Sequence, residues 1–322
     1  MNSKKWTTAA IIISFAMVSF SGRKHPGANA SPRSIWSADW SADGKYIAIG
    51  GDDSTIWLFK AGDYSLYKTY KANSMVKGLH WHPKENLLAI ANMTGIQLLD
   101  VQKGTLTTVP GLTTGGRGIS WKPSGDMLAL ADGRGVVQLL DKQGNIIRSI
   151  KKHNARTYMT IDWHPTKDIF VTGSDEIIVF DTSGRQLSMF RHRKENTGVL
   201  SVKWHPSGKF FASGDYGHEN EGMPTLLQFW KEDGTLLKTM HGHHEEIRNL
   251  RWSRDGNLLA TGSDALRIWQ KDGKLLHTGT CGEVLWGVAW SQDGKSIITG
   301  SYADGMVKLW DNKAKLVKQI KP

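Results

Sequence analysis

The stretch LWGVAWSQDGKSIITG, residues 285–300, sets the pattern for the chain. Two aromatic residues four apart lead into a polar turn, and a short apolar run follows. The same register returns as IWSADWSADGKYIAIG (35–50), VKGLHWHPKENLLAIA (76–91), GRGISWKPSGDMLALA (116–131), YMTIDWHPTKDIFVTG (158–173), VLSVKWHPSGKFFASG (199–214) and IRNLRWSRDGNLLATG (247–262). Seven copies are anchored by Trp40, Trp81, Trp121, Trp163, Trp204, Trp252 and Trp290, spaced 41, 40, 42, 41, 48 and 38 residues apart. Inside each period four short strands, a to d, are legible. Strand a ends at the Trp, with an apolar residue two before it. Strand b is an apolar run such as Tyr46-Ile47-Ala48-Ile49, strand c alternates as in Met306–Trp310, and strand d follows a turn such as Lys271–Lys274. Short strands at regular spacing argue for an all-β fold. A period near forty residues argues for propeller blades rather than a solenoid, since no polar capping repeat is visible. The fold expected is a seven-bladed propeller of four-stranded antiparallel blades over residues 34–322, with each anchoring Trp filling the wedge between blades.

Composition agrees with this. The 322 residues are 39% hydrophobic and 22% charged, with 35 Gly and 14 Trp, which excludes wholesale disorder. A single cysteine, Cys281, excludes an intramolecular disulfide and thiolate zinc clusters. The first thirty residues stand apart. Lys4 and Lys5 precede an apolar run from Ala9 to Phe20, and Ala28-Asn29-Ala30 closes the segment. This is the pattern of a secretory signal peptide over 1–30, with 31–33 a linker. The alternative is an uncleaved anchor through residues 6–22. Removing Lys4, Lys5, Arg23 and Lys24 with no acidic residue lowers the net charge from +11 to +7. Absence of disulfides fits export to a bacterial periplasm or medium.

The chain resembles the WD40-repeat family. Trp310-Asp311 ends strand c of blade 7 at the family's signature position, and Gly242-His243 supplies its Gly-His. The resemblance covers everything after about residue 33, with degenerate detail: the signature Trp is Phe59, Leu99, Leu140 and Phe180 in blades 1–4. It implies that the family's buried hydrogen-bond network forms fully only in blade 6, from His243, Thr261, Asp264 and Trp269. Blades contiguous in sequence imply closure by side-chain packing between blades 7 and 1 rather than by strand exchange, unless residues 23–33 add a strand.

The d–a and b–c loops share one face, the top, and vary most, which is where recognition by a rigid scaffold concentrates. The residue four before each anchoring Trp forms a set at the top mouth of the channel: Trp36, Lys77, Arg117, Met159, Leu200, Arg248 and Trp286. Strand alternation gives it the parity of the Trp. Trp and Arg dominate interface energetics, so these are candidate partner contacts, with Trp36 and Trp286 equally suited to staple the seam. Lys151, Lys152 and Arg156, with Arg191, Arg193 and Lys194, form a basic patch on adjacent d–a loops. His218, His241 and His244 are metal candidates that match no known ligand spacing. No metal or other cofactor is expected. Nucleophile-elbow, zincin and phosphate-loop motifs are absent from the sequence, and Cys281 has no activating neighbour in sequence. The leading expectation is a monomeric, non-catalytic scaffold, exported or tethered, that binds an acidic protein partner through its top face. Nucleic acid is not an expected partner, and membrane contact runs only through an uncleaved N-terminus. The alternatives are a propeller enzyme or small-ligand and metal binder at the channel mouth, and an envelope-surface binder using the basic patch.

Overall fold

A computed structural model describes residues 34–151, 159–194, 197–217 and 222–322. The signal-peptide, anchor and linker segments, together with Lys152, Arg156 and His218, lie outside the described residues. Among the described residues there are 28 strands in seven four-stranded antiparallel sheets, each built from strands consecutive in sequence. Blade 1 is β1 (Ile35–Trp40), β2 (Tyr46–Gly51), β3 (Thr55–Lys60) and β4 (Leu66–Lys71), and blade 7 ends with β28 (Leu316–Ile320).

The burial of each strand follows from its place. Strands b and c are largely buried because both faces meet a neighbouring blade, as in Leu87–Asn92 and Ile177–Asp181. The outer strand d faces solvent and carries Lys, Thr and Arg. The core is accordingly seven separate clusters among the described residues, one in each wedge. The cluster between blades 7 and 1 joins Ile35, Trp40, Ile47 and Phe59 to Ala289, Ile298 and Val307. Gln292 Nε2 also donates to the Ser41 carbonyl across this seam at 3.0 Å. Closure by packing, as the sequence implies, is what the described residues display.

The anchoring tryptophans do more than fill wedges. The indole N–H of Trp81, Trp163, Trp252 and Trp290 donates to the carbonyl of Asp39, Ser120, Lys203 and Arg251, respectively, in the preceding blade, at 2.9–3.2 Å. Three blades add a clip that the repeat reading overlooked. In each Trp-His-Pro turn the His Nδ1 accepts local backbone N–H groups, which leaves the proton on Nε2. Nε2 then donates to a turn carbonyl of the next blade: His82 to Gly125 at 2.9 Å, His164 to Gly208 at 3.0 Å and His205 to Gly256 at 2.8 Å. At Gly208 a Cβ would stand 2.6 Å from the His164 ring, on a backbone with φ +70°, so both approach and conformation require glycine there.

The expected buried network forms in part. His243 Nε2 lies 2.9 Å from Thr261 Oγ1, and Trp269 Nε1 donates to the same hydroxyl at 3.0 Å. Asp264 does not join them, which corrects the expectation. Its carboxylate goes instead to the His244 backbone N–H and to a bidentate contact with Arg267, and His243 Nδ1 is buried without a partner. The indole–hydroxyl half of the network extends beyond blade 6, with Trp230 on Ser213 and Trp310 on Thr299, both at 2.9 Å.

Candidate functional site: the channel mouth

Strict alternation would place the residue four before the Trp on the Trp face, between blades. The structure corrects this. In five blades the residue is the extra one in a β-bulge: the pairing of strands a and b skips Trp36, Lys77, Arg117, Leu200 and Trp286. Met159 and Arg248 lie just before their strands a, Thr160–Trp163 and Asn249–Trp252. A bulge re-aims a side chain, and Lys77, Arg117, Met159, Leu200 and Arg248 consequently line one opening at the top of the channel. Trp36 and Trp286 turn toward the seam. Their rings are 4.5 Å apart, and Trp286 packs on Tyr302 at 4.2 Å. Leu200 and Trp286 are buried, whereas Trp36, Lys77, Arg117, Met159 and Arg248 are half-buried at the mouth.

The two mouth arginines are held differently. The Arg248 guanidinium lies 4.3 Å from the Trp286 ring and 5.7 Å from that of Trp36, and its Nε donates to Glu246 at 2.6 Å. Arg117 donates one N–H to the Arg248 backbone carbonyl, and its Nη1 is buried with no partner. Burial pushes Arg117 down to about 9, with the charge of Arg248 adding to it and Glu246 opposing. Lys77 is lowered by burial, then by Arg117 and Arg248. Three cations thus meet one carboxylate among the described residues that perturb them.

Below the mouth runs a ring that sequence reasoning missed, formed by the residue preceding each Trp. Asp39, His80 and Asp162 accept the backbone N–H of Trp81, Trp121 and Trp204 in the next blade, at 2.9–3.0 Å. Arg251 pairs with Asp39 at 3.0 Å and Lys203 with Asp162 at 2.6 Å. Burial raises the Asp39 carboxyl despite Arg251 and holds His80 well below the usual imidazole range. At the far end of the channel a cavity of about 320 Å³ is lined by Asp39, His80, Arg251, Arg254 and Gln292, among others.

The basic patch is smaller than its sequence suggests. Lys151, Arg191 and Lys194 are exposed, but Arg193 is not a surface charge. Its Nη2 lies 2.5 Å from Asp215, with side-chain exposures of 8% and 0%. His192 Nδ1 lies 3.4 Å from the same carboxylate, and the Thr197 hydroxyl donates to it at 3.3 Å. Burial pushes the Asp215 carboxyl up, yet His192, the Leu226 N–H and Arg193 together hold it below its ordinary value. His192 here occupies the place that His243 takes in blade 6, which the alignment of Arg191-His192 with Gly242-His243 signals. Of the metal candidates, His241 and His244 are exposed. Among the described residues no three His, Cys, Asp or Glu side chains converge on a metal position. The Cys281 thiol is half-buried and raised by burial, and no described helix is long and apolar enough to cross a membrane.

Comparison with known proteins agrees with the repeat architecture. The family model for the WD domain, G-beta repeat, matches residues 184–219, 234–270 and 273–311. The model for the anaphase-promoting complex subunit 4 WD40 domain matches residues 38–115. The chain is a WD40-repeat β-propeller. Among curated relatives, the WD repeat-containing protein slp1 of Schizosaccharomyces pombe is 28% identical over 168 residues, 50% of this chain and 32% of that protein. The probable cytosolic iron-sulfur protein assembly protein 1 of Candida glabrata is 27% identical over 133 residues, 37% of each chain. Human F-box-like/WD repeat-containing protein TBL1X is 25% identical over 150 residues, 42% of this chain and 24% of that protein. The matches therefore span well under half the length of these relatives.

Proposed function

We propose that this propeller is a non-catalytic scaffold that docks an acidic protein partner on its top face, centred on the channel mouth. The observation that carries this reading is the pair of bulges that delivers Lys77 and Arg117 to one opening with Arg248, beside the half-buried Trp36. Five blades spend a strand irregularity on presenting this position, and bulges of this kind mark functional edges more often than packing accidents. Arg and Trp around a desolvated centre are the composition of an interface hot spot. A rice relative, the chromatin assembly factor 1 subunit FAS2 homolog, 27% identical over 131 residues, is a subunit of a larger assembly, which supports a scaffold. Monomeric behaviour is part of the proposal.

Export, or tethering through residues 6–22, is also part of it. Its support is the signal-like sequence of residues 1–30, with basic start, apolar run and Ala28-Asn29-Ala30. N-terminal sequencing of the mature protein checks it: a start at Ser31 means cleavage, and an intact Met1 in a membrane fraction means tethering.

Docking is tested by cross-linked affinity capture with mass spectrometry, using three baits of verified fold. These are the wild type, a top-face variant with Lys77→Glu and Trp36→Ala, and a bottom-face control with Lys84→Glu and Lys209→Glu. A partner held by the wild type and the control but lost from the top-face variant is the expected result. A partner lost only from the bottom-face control would refute the assignment.

A further inference from the structure

The mouth carries an uncompensated charge. Arg117 Nη1 is buried without a hydrogen-bond partner, the Arg248 backbone carbonyl satisfies only one of its N–H groups, and Lys77 lines the same opening. Glu246 is spent on Arg248 at 2.6 Å. Burying an unpaired cation costs several kcal/mol, and a guanidinium left with free N–H donors is a carboxylate receptor lacking its guest. The space is small. The cavity is about 50 Å³, more than the ~10–15 Å³ that one water needs and far below the roughly 300–1,000 Å³ of small-molecule sites. A cofactor or sugar does not fit, whereas the tip of one acidic side chain or a chain terminus does. Met159 and Leu200 complete the wall beside the cations, and partial exclusion of water strengthens a paired charge there.

We propose that the channel mouth is a pocket for a single carboxylate presented by the docking polypeptide, with Arg117 as its principal recognition residue and Lys77 as a second cation. This deepens the top-face reading and rests on it. Arg248, held between Glu246 and two indoles, is the rim of the pocket rather than its receptor.

The test uses the whole chain and free acetate as probe, with acetamide as neutral isostere and inorganic phosphate as a larger oxyanion. Ionic strength is held constant with sodium chloride. Tryptophan emission reports binding, because Trp36 and Trp286 flank Arg248, and melting temperature reports linkage. Acetate is expected to shift emission saturably and raise the melting temperature, and acetamide to do neither. Arg117→Met should weaken acetate binding at least about tenfold, as loss of a charged hydrogen bond does, and should itself raise the melting temperature of the acetate-free protein by removing an unpaired buried cation. A purely structural arginine predicts the opposite sign. Lys77→Met, at a less constrained position, should weaken acetate several-fold and serves as the second variant if Arg117→Met misfolds. The inference is overturned if acetate and acetamide act alike, if both variants keep the full response, or if phosphate binds where acetate does not. Its failure is separable from that of the docking reading. Partner capture lost from the top-face variant with a silent acetate titration removes the pocket and leaves the docking face. Acetate binding with face-independent capture removes the docking face and leaves the pocket.

Discussion

Replacing Thr261 by Val tests the blade 6 network most directly. Val keeps the shape and β-branching of Thr and removes one hydroxyl. That hydroxyl accepts from Trp269 Nε1 at 3.0 Å and lies 2.9 Å from His243 Nε2, and Thr261 is fully buried. Its loss leaves two buried ring nitrogens unpaired, and His243 Nδ1 already has no partner. An orphaned buried polar group costs about 1–3 kcal/mol, so Thr261→Val, with two such groups, should cost about 2–6 kcal/mol. Thr299→Val in blade 7 is the internal control. It removes the acceptor of Trp310 Nε1 alone, at about 1–3 kcal/mol. Urea unfolding followed by tryptophan emission gives both numbers, provided the slope with denaturant is unchanged. The expected order is Thr261→Val costlier by about the value of one orphaned group. Equal costs, or the reverse order, would show that His243 draws nothing from the hydroxyl and that the blade 6 contact is only packing.

Stability should fall as pH drops below neutrality. Burial holds His243 down at about 3, while an unfolded imidazole titrates near 6.5. Between those values the unfolded chain binds the extra proton, so stability is full above about 6.5 and declines toward 3. At pH 5 the loss from this group is about 2 kcal/mol, and His164 and His205, also lowered by burial, act with the same sign. A free energy of unfolding that stays flat from pH 7.5 to 5 sinks this argument, and His243→Gln should shallow the slope. Gly208→Ala should cost well over the roughly 1–2 kcal/mol of left-handed backbone strain, because its Cβ meets the His164 ring. Gly294→Ala, with φ +68° but nothing near its Cβ, should cost the strain alone, and equal melting temperatures for the two would discard the clip. Arg193→Ala should destabilise by about 3–5 kcal/mol by stranding buried Asp215, whereas Arg191→Ala, at an exposed site, should change stability by under about 0.5 kcal/mol. Matching thermal denaturation curves would return Arg193 to the surface patch.

The fold was legible because the repeat writes one physical requirement seven times. A wedge between blades needs a large flat side chain at the end of strand a, and Trp40 to Trp290 recur on that schedule. Contiguous blades were legible from the same phase, since strand a opens near Ser34 and strand d closes the chain near Ile320. Five of the seven residues expected at the channel mouth line it, while Trp36 and Trp286 pair at the seam, and how the five arrive was not legible. Period-two alternation sends Lys77 and Arg117 between blades, and only the bulge, which has no fixed residue signature, turns them to the channel. Arg193 and Asp264 were misread for a related reason. Charges in a loop are ordinarily solvated, and Arg193 is drawn inward by Asp215, twenty-two residues away, whereas Asp264 is captured locally by Arg267, three residues on. The His–Gly clips did leave a trace: Trp-His-Pro occurs three times, and each following blade carries a Gly four residues after its own Trp, at Gly125, Gly208 and Gly256.

Two arginines at the same repeat position have come to opposite tasks, and their neighbours decide which. Arg248 belongs to blade 6, yet its guanidinium reaches the indoles of blades 7 and 1, and Glu246 balances its charge. It therefore binds together the seam that no strand exchange covers among the described residues. Paired with Glu246 and stacked on two indoles, it has less to gain from a ligand than Arg117. Arg117 sits beside that assembly with its charge unbalanced, and the stable arrangement around Arg248 forces it to remain so, because Glu246 cannot serve both at full strength. Ring closure thus creates the electrostatic vacancy on which the proposed recognition rests. A propeller closed by aromatic and cationic contacts at the top of blades 6, 7 and 1 concentrates positive charge at the channel mouth, and a carboxylate entering there would relieve the repulsion between Arg117 and Arg248 without loosening the seam.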